Sequence, residues 1–406
     1  EDDYLSVAWG GFSSFNGLCS GTVTVAATPA EGGTVTGGGS FEGGQSCAVT
    51  ATANTGYVFA NWTANGVLVS TLAEYSFPVA GDMALVAHFV PEGNIVFADA
   101  NVKAICVEHW DSNGDGELSY VEAASVTDLS YYFQYNSNLT SFDELQYFIG
   151  LSSIPYNAFH SCSNLTSVVL PESITVIAEQ AFQYCNNLSG TLVIPNSVTT
   201  IGFRAFEDCS GFTGDLVIPN SVTSIAEEAF KDCTGFNGAL IIGEGVTSIE
   251  SATFSGCSGF TSVAFPNSLT SLGSNAFYGC SGLTGGLVIP NYVTTIGYNA
   301  FSGCSGYTSL MLGDSLTSIG SYAFNGCSNL SGELVIPDAV VTIGERAFRN
   351  CSGFTSLSLG ESVANIGSQA LRLSNLTTIT VKTATPPSVE SNAFADVDQT
   401  IPVYVS

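Results

Sequence analysis

Residues 111–122 read DSNGDGELSYVE, which places oxygen-bearing side chains at alternate positions around two glycines. Asp111, Asn113 and Asp115 take the first, third and fifth places, Gly116 the sixth and Glu122 the twelfth. A hard cation such as Ca²⁺ is held by about six to eight oxygens, and this spacing lets a twelve-residue loop wrap them around one ion. Glu117 adds its backbone carbonyl, Ser119 adds a hydroxyl directly or through water, and Glu122 closes the loop with both carboxylate oxygens. The expected calcium ligands are therefore Asp111, Asn113, Asp115, Glu117 and Glu122, with Leu118 as the inward apolar residue. A second loop of this kind is absent from the sequence. Regulatory exposure of a groove normally uses paired loops, so the expected role is structural.

Other chemistry is sparse. The three histidines, His88, His109 and His160, stand in no metal-ligand spacing, and no G-x-S-x-G elbow or phosphate-cradling glycine loop occurs. Paired carboxylates such as Glu207–Asp208 and Glu227–Glu228 suit acid–base work in principle. They fall at variable positions of a repeat and are expected to be solvated. The chain is read as having no catalytic residues and no enzymatic activity.

Elements must position the loop. Val102, Ile105, Cys106, His109 and Trp110 share one helical face ahead of it, and Ser119-x-x-Glu122 is a capping box for a helix behind it. That exit helix is expected to run straight into the first repeat. The helix pair would then act as a calcium-stiffened N-terminal cap, shielding an apolar edge that a solenoid otherwise leaves open.

The repeat itself is announced by cysteines at 162, 185, 209, 233, 257, 280, 304, 327 and 351, spaced 23 or 24 residues apart. Around each runs the frame V-T-x-I-x-x-x-A-F-x-x-C, then L-x-(I/L)-P. Asn136, Ser374 and Val397 continue the cysteine phase, giving about twelve coils. A period of this length with L-x-(I/L) strands is the mark of a leucine-rich repeat. The strands, exemplified by Leu216-x-Ile218, are expected to stack into one parallel sheet along the array, and AFKDC (residues 229–233) to form a short helical or 3₁₀ turn. The phenylalanines from Phe159 to Phe348, with Leu371 and Phe394 in the same phase, read as a core spine rather than a stacking platform.

Nine equivalent thiols on stacked coils would lie about 4.8 Å apart with parallel Cβ vectors, unsuited to disulfides. They are read as buried small hydrophobes. A disulfide between Cys19 and Cys47 is plausible, and Cys106 is read as core. Upstream, residues 22–90 alternate β-branched residues with Gly/Asn turns, as hairpins do, with Tyr57, Phe59 and Trp62 as core aromatics.

The middle residue of each L-x-I strand should point to the open face: Val193, Val217, Ile241, Ala264, Val288, Met311, Val335 and Ser358. Solvent-facing rows are usually polar, so this mostly apolar row is a candidate partner site, chiefly Val193, Val217, Ile241, Val288, Met311 and Val335. β-Branched residues also simply suit strands, and both readings stand at this point.

Charge excludes some partners. Acidic residues outnumber basic ones 35 to 7, for a net charge of −28. Seven basic residues spread from Lys103 to Lys382 cannot neutralise a phosphate backbone or an anionic membrane, so nucleic acid and direct membrane insertion are not expected. No apolar run reaches the about 20 residues that span a bilayer. The start, EDDYLSVAWGG, has no basic n-region and apolar h-region, and is read as that of a mature chain whose signal sequence has been removed.

The frame SVTSIGxxAFxGCSGLTSLxIP resembles the BspA-like leucine-rich repeat family, secreted or outer-surface proteins of Gram-negative commensal bacteria, over residues 126–405. The stretch FDELQYFIGLSSIPYNAF (142–159) looks like that family's opening coil, and residues 22–90 look like a divergent InlB-type B-repeat. The resemblance implies a location outside the cell or on the outer surface of a Gram-negative bacterium. It also implies adhesion to host extracellular or serum proteins, or to other bacterial surface proteins. It fixes no ligand residue. The expected organisation is multidomain. Residues 1–21 are unassigned, 22–92 form a small all-β domain, 93–126 an EF-hand-like calcium-binding cap and 127–406 a leucine-rich repeat solenoid with a parallel β-sheet face. The alternative function is a surface glycan-binding or glycan-utilisation accessory.

Overall fold

A computed structural model describes residues 20–405. The chain divides into two compact units. One comprises the described residues up to Val96 with His109–Thr127 and Tyr147–Gly150; the other comprises Phe97–Glu108, Asp128–Gln146 and the chain from Leu151 onward.

In the first unit, alternating β-branched residues build two sheets. Five strands run in the order Gly39–Phe41, Gly21–Thr28, Met83–Pro91, Tyr57–Ala64, Val67–Ser70, and three more in the order Gly33–Thr36, Ser46–Ala53, Glu74–Pro78. Gly21–Thr28 and Met83–Pro91 pair in parallel. Val23, Val49, Trp62, Phe77, Leu85 and Phe89 form the core. A bulge between Phe59 and Asn61 explains why Trp62 is out of phase with Tyr57 and Phe59 yet fully buried, its Nε1 donating to the Ala73 carbonyl at 3.3 Å. Cys47 is buried, its thiol 3.3 Å from the Gly37 carbonyl. Its suggested partner, Cys19, lies outside the described residues.

The second unit is a solenoid held by contacts between coils. Its most continuous ladder is one that the periodicity reading did not single out. Two-residue strands from the (S/T)-I part of the frame pair coil to coil, four from Ser153–Ile154 to Ser224–Ile225 and seven from Ser248–Ile249 to Ser388–Val389. Threonine hydroxyls reinforce its edge, Thr294 Oγ1 donating to the Thr270 carbonyl at 3.2 Å.

The AFxxC segment is not helical, contrary to expectation. A left-handed residue precedes the alanine and another precedes the cysteine, as at Glu228 (φ 57°) and Asp232 (φ 58°). Each therefore stops after one tight turn, and its free amides reach the next coil: Phe230 N to Thr253 O at 2.9 Å and Asp232 N to Ser255 O at 2.8 Å. Inside, Phe159 to Phe348 stack with ring centroids 5.1–5.6 Å apart and planes within 19°.

All nine ladder cysteines are free and buried. Each thiol donates to the phenylalanine carbonyl of the preceding coil, at 2.9 Å for Cys162 and 3.0 Å for Cys233. Burial pushes thiols such as Cys162, Cys209 and Cys351 up, Cys162 to about 12, so these stay protonated and inert.

The L-x-I strands do not form one sheet. They make separate groups: Leu216–Ile218 with Ala239–Ile242 and Ser262–Ala264; Gly285–Val288 with Tyr307–Met311; and a four-strand group from Ser331–Ile336 to Val403–Val405. Coil length explains this. The three steps from a 23-residue to a 24-residue coil, after Cys185, Cys280 and Cys327, all coincide with a break. The extra residue enters beside a left-handed glycine, Gly190, Gly285 or Gly332, just before the strand. At two of the three steps back to a short coil, a bulge at Gly285/Gly286 or Gly332/Glu333 absorbs it; at the other, between Ala239–Ile242 and Ser262–Ala264, the strands pair without a register shift. When a long coil follows a short one, the strands part.

The first coil is covered by helix α1 (Ala100–Trp110), whose Val102 and Cys106 are fully buried. Asp99 caps it, accepting from Asn101 N at 2.7 Å and Val102 N at 3.4 Å with one oxygen, and from Thr140 N at 2.6 Å and Thr140 Oγ1 at 2.7 Å with the other. Burial alone would raise this carboxyl. The hydrogen bonds from Thr140, Asn101 and Val102 outweigh it and hold the group down at about 2.

Two outcomes follow. Phe230→Ala, in mid-stack, should cost about 3–5 kcal/mol in denaturant unfolding, while Phe394→Ala, half-buried at the last coils, should cost less. Asp99→Asn should destabilise by about 1–2 kcal/mol at neutral pH. Because the folded pKa is below the ordinary 3.8, this difference is present above pH 4 and shrinks as pH falls through 2. A difference that grows on acidification would contradict the assignment.

Candidate functional site

Helix α2 (Tyr120–Ser125) follows the acidic loop with the capping box the sequence foretold, Ser119 accepting from Glu122 N. It does not continue into the first repeat. It ends after six residues, because its apolar side is satisfied locally: Ala124 packs with Ala60 and Val90, and Tyr120 with the same cluster. The loop also finds a strand partner within its own unit. Ile95 N donates to Leu118 O at 2.8 Å and Tyr120 N to Gly93 O at 3.2 Å, where a paired loop would otherwise sit.

Within the loop, backbone amides fix the oxygens. Asp111 accepts from Gly114 N at 2.7 Å and Gly116 N at 2.8 Å; Asn113 accepts from Asp115 N at 2.8 Å; Asp115 accepts from Glu117 N at 2.9 Å. Glu122 takes Ser112 N and Oγ at 2.8 Å on one oxygen and Ser119 N and Oγ at 2.9 Å on the other. Burial would raise its carboxyl, but these bonds hold it down at about 2, so it is ionised at any physiological pH. Among the described residues no three His, Cys, Asp or Glu side chains gather around one point. The donors are nonetheless all hard oxygens, tethered at the alternate positions a calcium ion uses. His109, placed on the inward helical face by its spacing, is exposed.

On the solenoid, Val193, Val217, Ile241, Val288, Met311 and Val335 are 41–69% exposed. Val217 pairs directly with Ile241, and Ile241 with Ala264. Two positions depart from the reading. Val193 is exposed but belongs to no regular strand, because its coil follows the first short-to-long step. Ser358 is buried, a small side chain screened between its register neighbours Val335 and Thr380. Cavities open at two of the breaks. One, of about 380 Å³, is lined by Val168, Leu170, Val193 and Phe212 among others. The other, of about 290 Å³, is lined by Val263, Phe265, Val288 and Tyr307 among others. Neither could be seen in the sequence without noticing that coil lengths alternate.

The paired carboxylates are also not simply solvated. Glu207 is buried and held by Gln183, by Lys231 Nζ at 2.9 Å and by Arg204 Nε at 3.3 Å. Glu228 sits 2.7 Å from Arg204 Nε. Burial and the neighbouring Asp232 raise Asp208. These residues form ion-paired links between successive coils. At the solenoid's early coils, exposed Tyr135 and Tyr184 flank His160, with ring centroids 4.9 and 5.5 Å from it.

With this geometry in hand, the BspA type leucine rich repeat region matches over 117–213, 152–284, 212–331 and 283–401. The chain belongs to this family. Residues 23–93 match the divergent InlB B-repeat domain. Leucine-rich repeat scaffolds of this class generally mediate protein–protein interactions. No curated protein matches the chain. Among solved structures, it is similar to a leucine-rich repeat protein from Bacteroides ovatus at 23% identity, covering 69% of this chain and 88% of that one, with a TM-score of 0.35. It is also similar to a leucine rich cell surface protein from Faecalibacterium prausnitzii at 26% identity, covering 63% and 83%, with a TM-score of 0.36. A third is the pneumococcal vaccine antigen PcpA at 21% identity, covering 63% and 72%, with a TM-score of 0.42. Among the described residues, no helix of this BspA-type chain is long and apolar enough to cross a membrane.

Proposed function

We propose that this BspA-type chain acts at the bacterial cell surface as a non-catalytic adhesion protein. It binds host extracellular or serum proteins, or other bacterial surface proteins, along the L-x-I face of its solenoid. The observation that carries this reading is the row of exposed apolar residues from Val217 to Val335 on a rigid, stacked scaffold. Such a row is costly to leave in water unless a partner covers it. Its breaks add concave sockets suited to anchor side chains. Acidic residues elsewhere keep the free chain soluble.

Calcium belongs to the same reading. Asp111, Asn113, Asp115, the Glu117 carbonyl and Glu122 would hold one ion, which supplies charge neutralisation to a loop that is otherwise a concentration of carboxylates. Its role is structural, ordering the loop against the Gly93–Ile95 segment.

A second reading, glycan binding, is favoured by one feature. The exposed Tyr135–His160–Tyr184 cluster offers ring faces of the kind sugars stack on.

Aspartate at Val217, Ile241 and Val288 together should abolish capture of serum or mucosal proteins, at least tenfold, without moving the melting temperature. Capture that survives, combined with glycan-array signals lost on Tyr135→Ala and Tyr184→Ala, would favour the glycan reading instead. A chelator should lower the melting temperature of the first unit, removing up to about 2.7 kcal/mol of stability when free calcium was about 100-fold above Kd. Asp111→Asn with Glu122→Gln should remove that response. An unchanged melt would leave the loop without a metal role.

A further inference from the structure

The outward row of the solenoid face begins with a carboxylate, not an apolar residue. Ser141–Phe142 pairs in parallel with Ser167–Val168, Phe142 opposite Val168. The residues that follow are Asp143 and Val169, so Asp143 holds in the first coil the place that Val169, Val193 and Val217 take in later ones. Asp143 lines the cavity of about 380 Å³ at the first strand break, and Glu172 lines it too. Among the described residues, no hydrogen bond or ion pair reaches either carboxylate. Other solenoid carboxylates are engaged: Glu207 and Glu228 by Arg204 and Lys231, Asp396 by Arg372, and Asp338 by Lys382. Asp143 Oδ1 is closed off from solvent without a donor, which costs free energy. Its other oxygen also lacks a donor but remains accessible, and Glu172 is exposed.

The rest of the lining is mixed. Val168, Leu170, Val193 and Phe212 supply apolar wall, and Ser167 and Thr191 bring hydroxyls that can accept. Apolar wall beside two unpaired carboxylates suits a long side chain with a methylene stem and one positive head. The stem lies on the wall while the head stays at the wet edge. Lysine matches better than arginine. Only one oxygen of Asp143 is accessible, so the bidentate grip of a guanidinium fork is not on offer, whereas an ammonium is a point charge with three donors. A hard metal ion needs about six oxygens around it, which a partly apolar wall does not supply. The net charge of −28 also steers basic partners toward this chain.

We propose that the socket beside Val193 receives a lysine side chain of a protein partner, its ammonium held by Asp143 and Glu172. The cavity at the other break, beside Val288, is lined by polar and apolar residues but by no charged side chain, and serves as an internal comparison. The inference deepens the protein-binding reading and rests on it for the partner, but the socket's preference is measurable without any partner.

The full chain is titrated at low ionic strength with Nα-acetyl-lysine methylamide and with its norleucine counterpart, which keeps an aliphatic stem and lacks the ammonium. The methyl resonances of Val168 and Val193 report on the socket, and those of Val263 and Val288 on the comparison cavity. At Val168 and Val193 the lysine probe should bind about three- to tenfold more tightly, an advantage that shrinks as salt is raised. Asp143→Asn with Glu172→Gln should erase the preference while norleucine binding persists. Glu172→Gln alone, at an exposed position, leaves the fold intact and should weaken it. Val263 and Val288 should show no preference. Equal binding of the two probes, no binding of either, a preference that survives the double substitution, or the same preference at Val263 and Val288 would each overturn the proposal. Protein capture undiminished in the double variant would overturn it too, leaving the protein-binding reading in place. A lysine preference intact in a chain that captures no protein would instead count against the protein-binding reading alone.

Discussion

Nine coils of the solenoid, those of Cys162 to Cys351, are each tied to the one before by a hydrogen bond from the cysteine thiol to a phenylalanine carbonyl. A carbonyl has two lone pairs. In the AFxxC turn, one is taken by the cysteine amide of its own coil, as from Cys233 N to Phe230 O at 3.3 Å. The other is taken by the next coil's thiol, as from Cys257 to Phe230 at 3.0 Å. Cysteine is small enough to let coils approach at strand spacing and still brings a donor. The same register stacks the phenylalanine rings and aligns the turn amides with the next coil's carbonyls. Stability is thus a property of neighbours, not of single coils. The left-handed residues at each turn, strained by themselves, persist because both sides of the stack hold them.

That tight register makes coil length consequential. In the sequence one extra residue is only an insertion; in a stack whose coils are hydrogen-bonded to one another it has to be placed somewhere.

 Two of the three long-to-short steps place it in a bulge. The short-to-long steps leave the strands parted, and the face acquires sockets at two of those points. An irregularity of one residue is therefore what turns a uniform row of valines and isoleucines into a surface with distinct positions, which a partner needs for specificity as well as area.

The acidic loop shows a related economy. A single loop lacks the partner that usually steadies it, and the Gly93–Ile95 segment takes that place through two backbone hydrogen bonds. Its exit helix is short because Ala124 and Tyr120 find their apolar contacts on Ala60, Val90 and Val58 after barely two turns. In the other unit, Asp99 joins the start of helix α1 to the first coil through Thr140.

Much of this was legible in the chain. The cysteine spacing determined the number and length of the coils. The A-F-x-x-C phase determined which side chains are buried, and Ser119-x-x-Glu122 determined where the short helix starts, since periodicity and capping are local properties. What only the tertiary structure decided depends on neighbours far apart in sequence. The AFxxC turns are not helical because their amides bond to the next coil. The face is several sheets because adjacent coils differ in length. Glu207 is buried because Lys231, one coil away, reaches it. Ser358 is hidden because Val335 and Thr380 flank it. The thiol bonds and the unpartnered carboxylate of Asp143 belong to the same class: residue type is written in each coil, but its partner, or the lack of one, exists only once the coils are stacked.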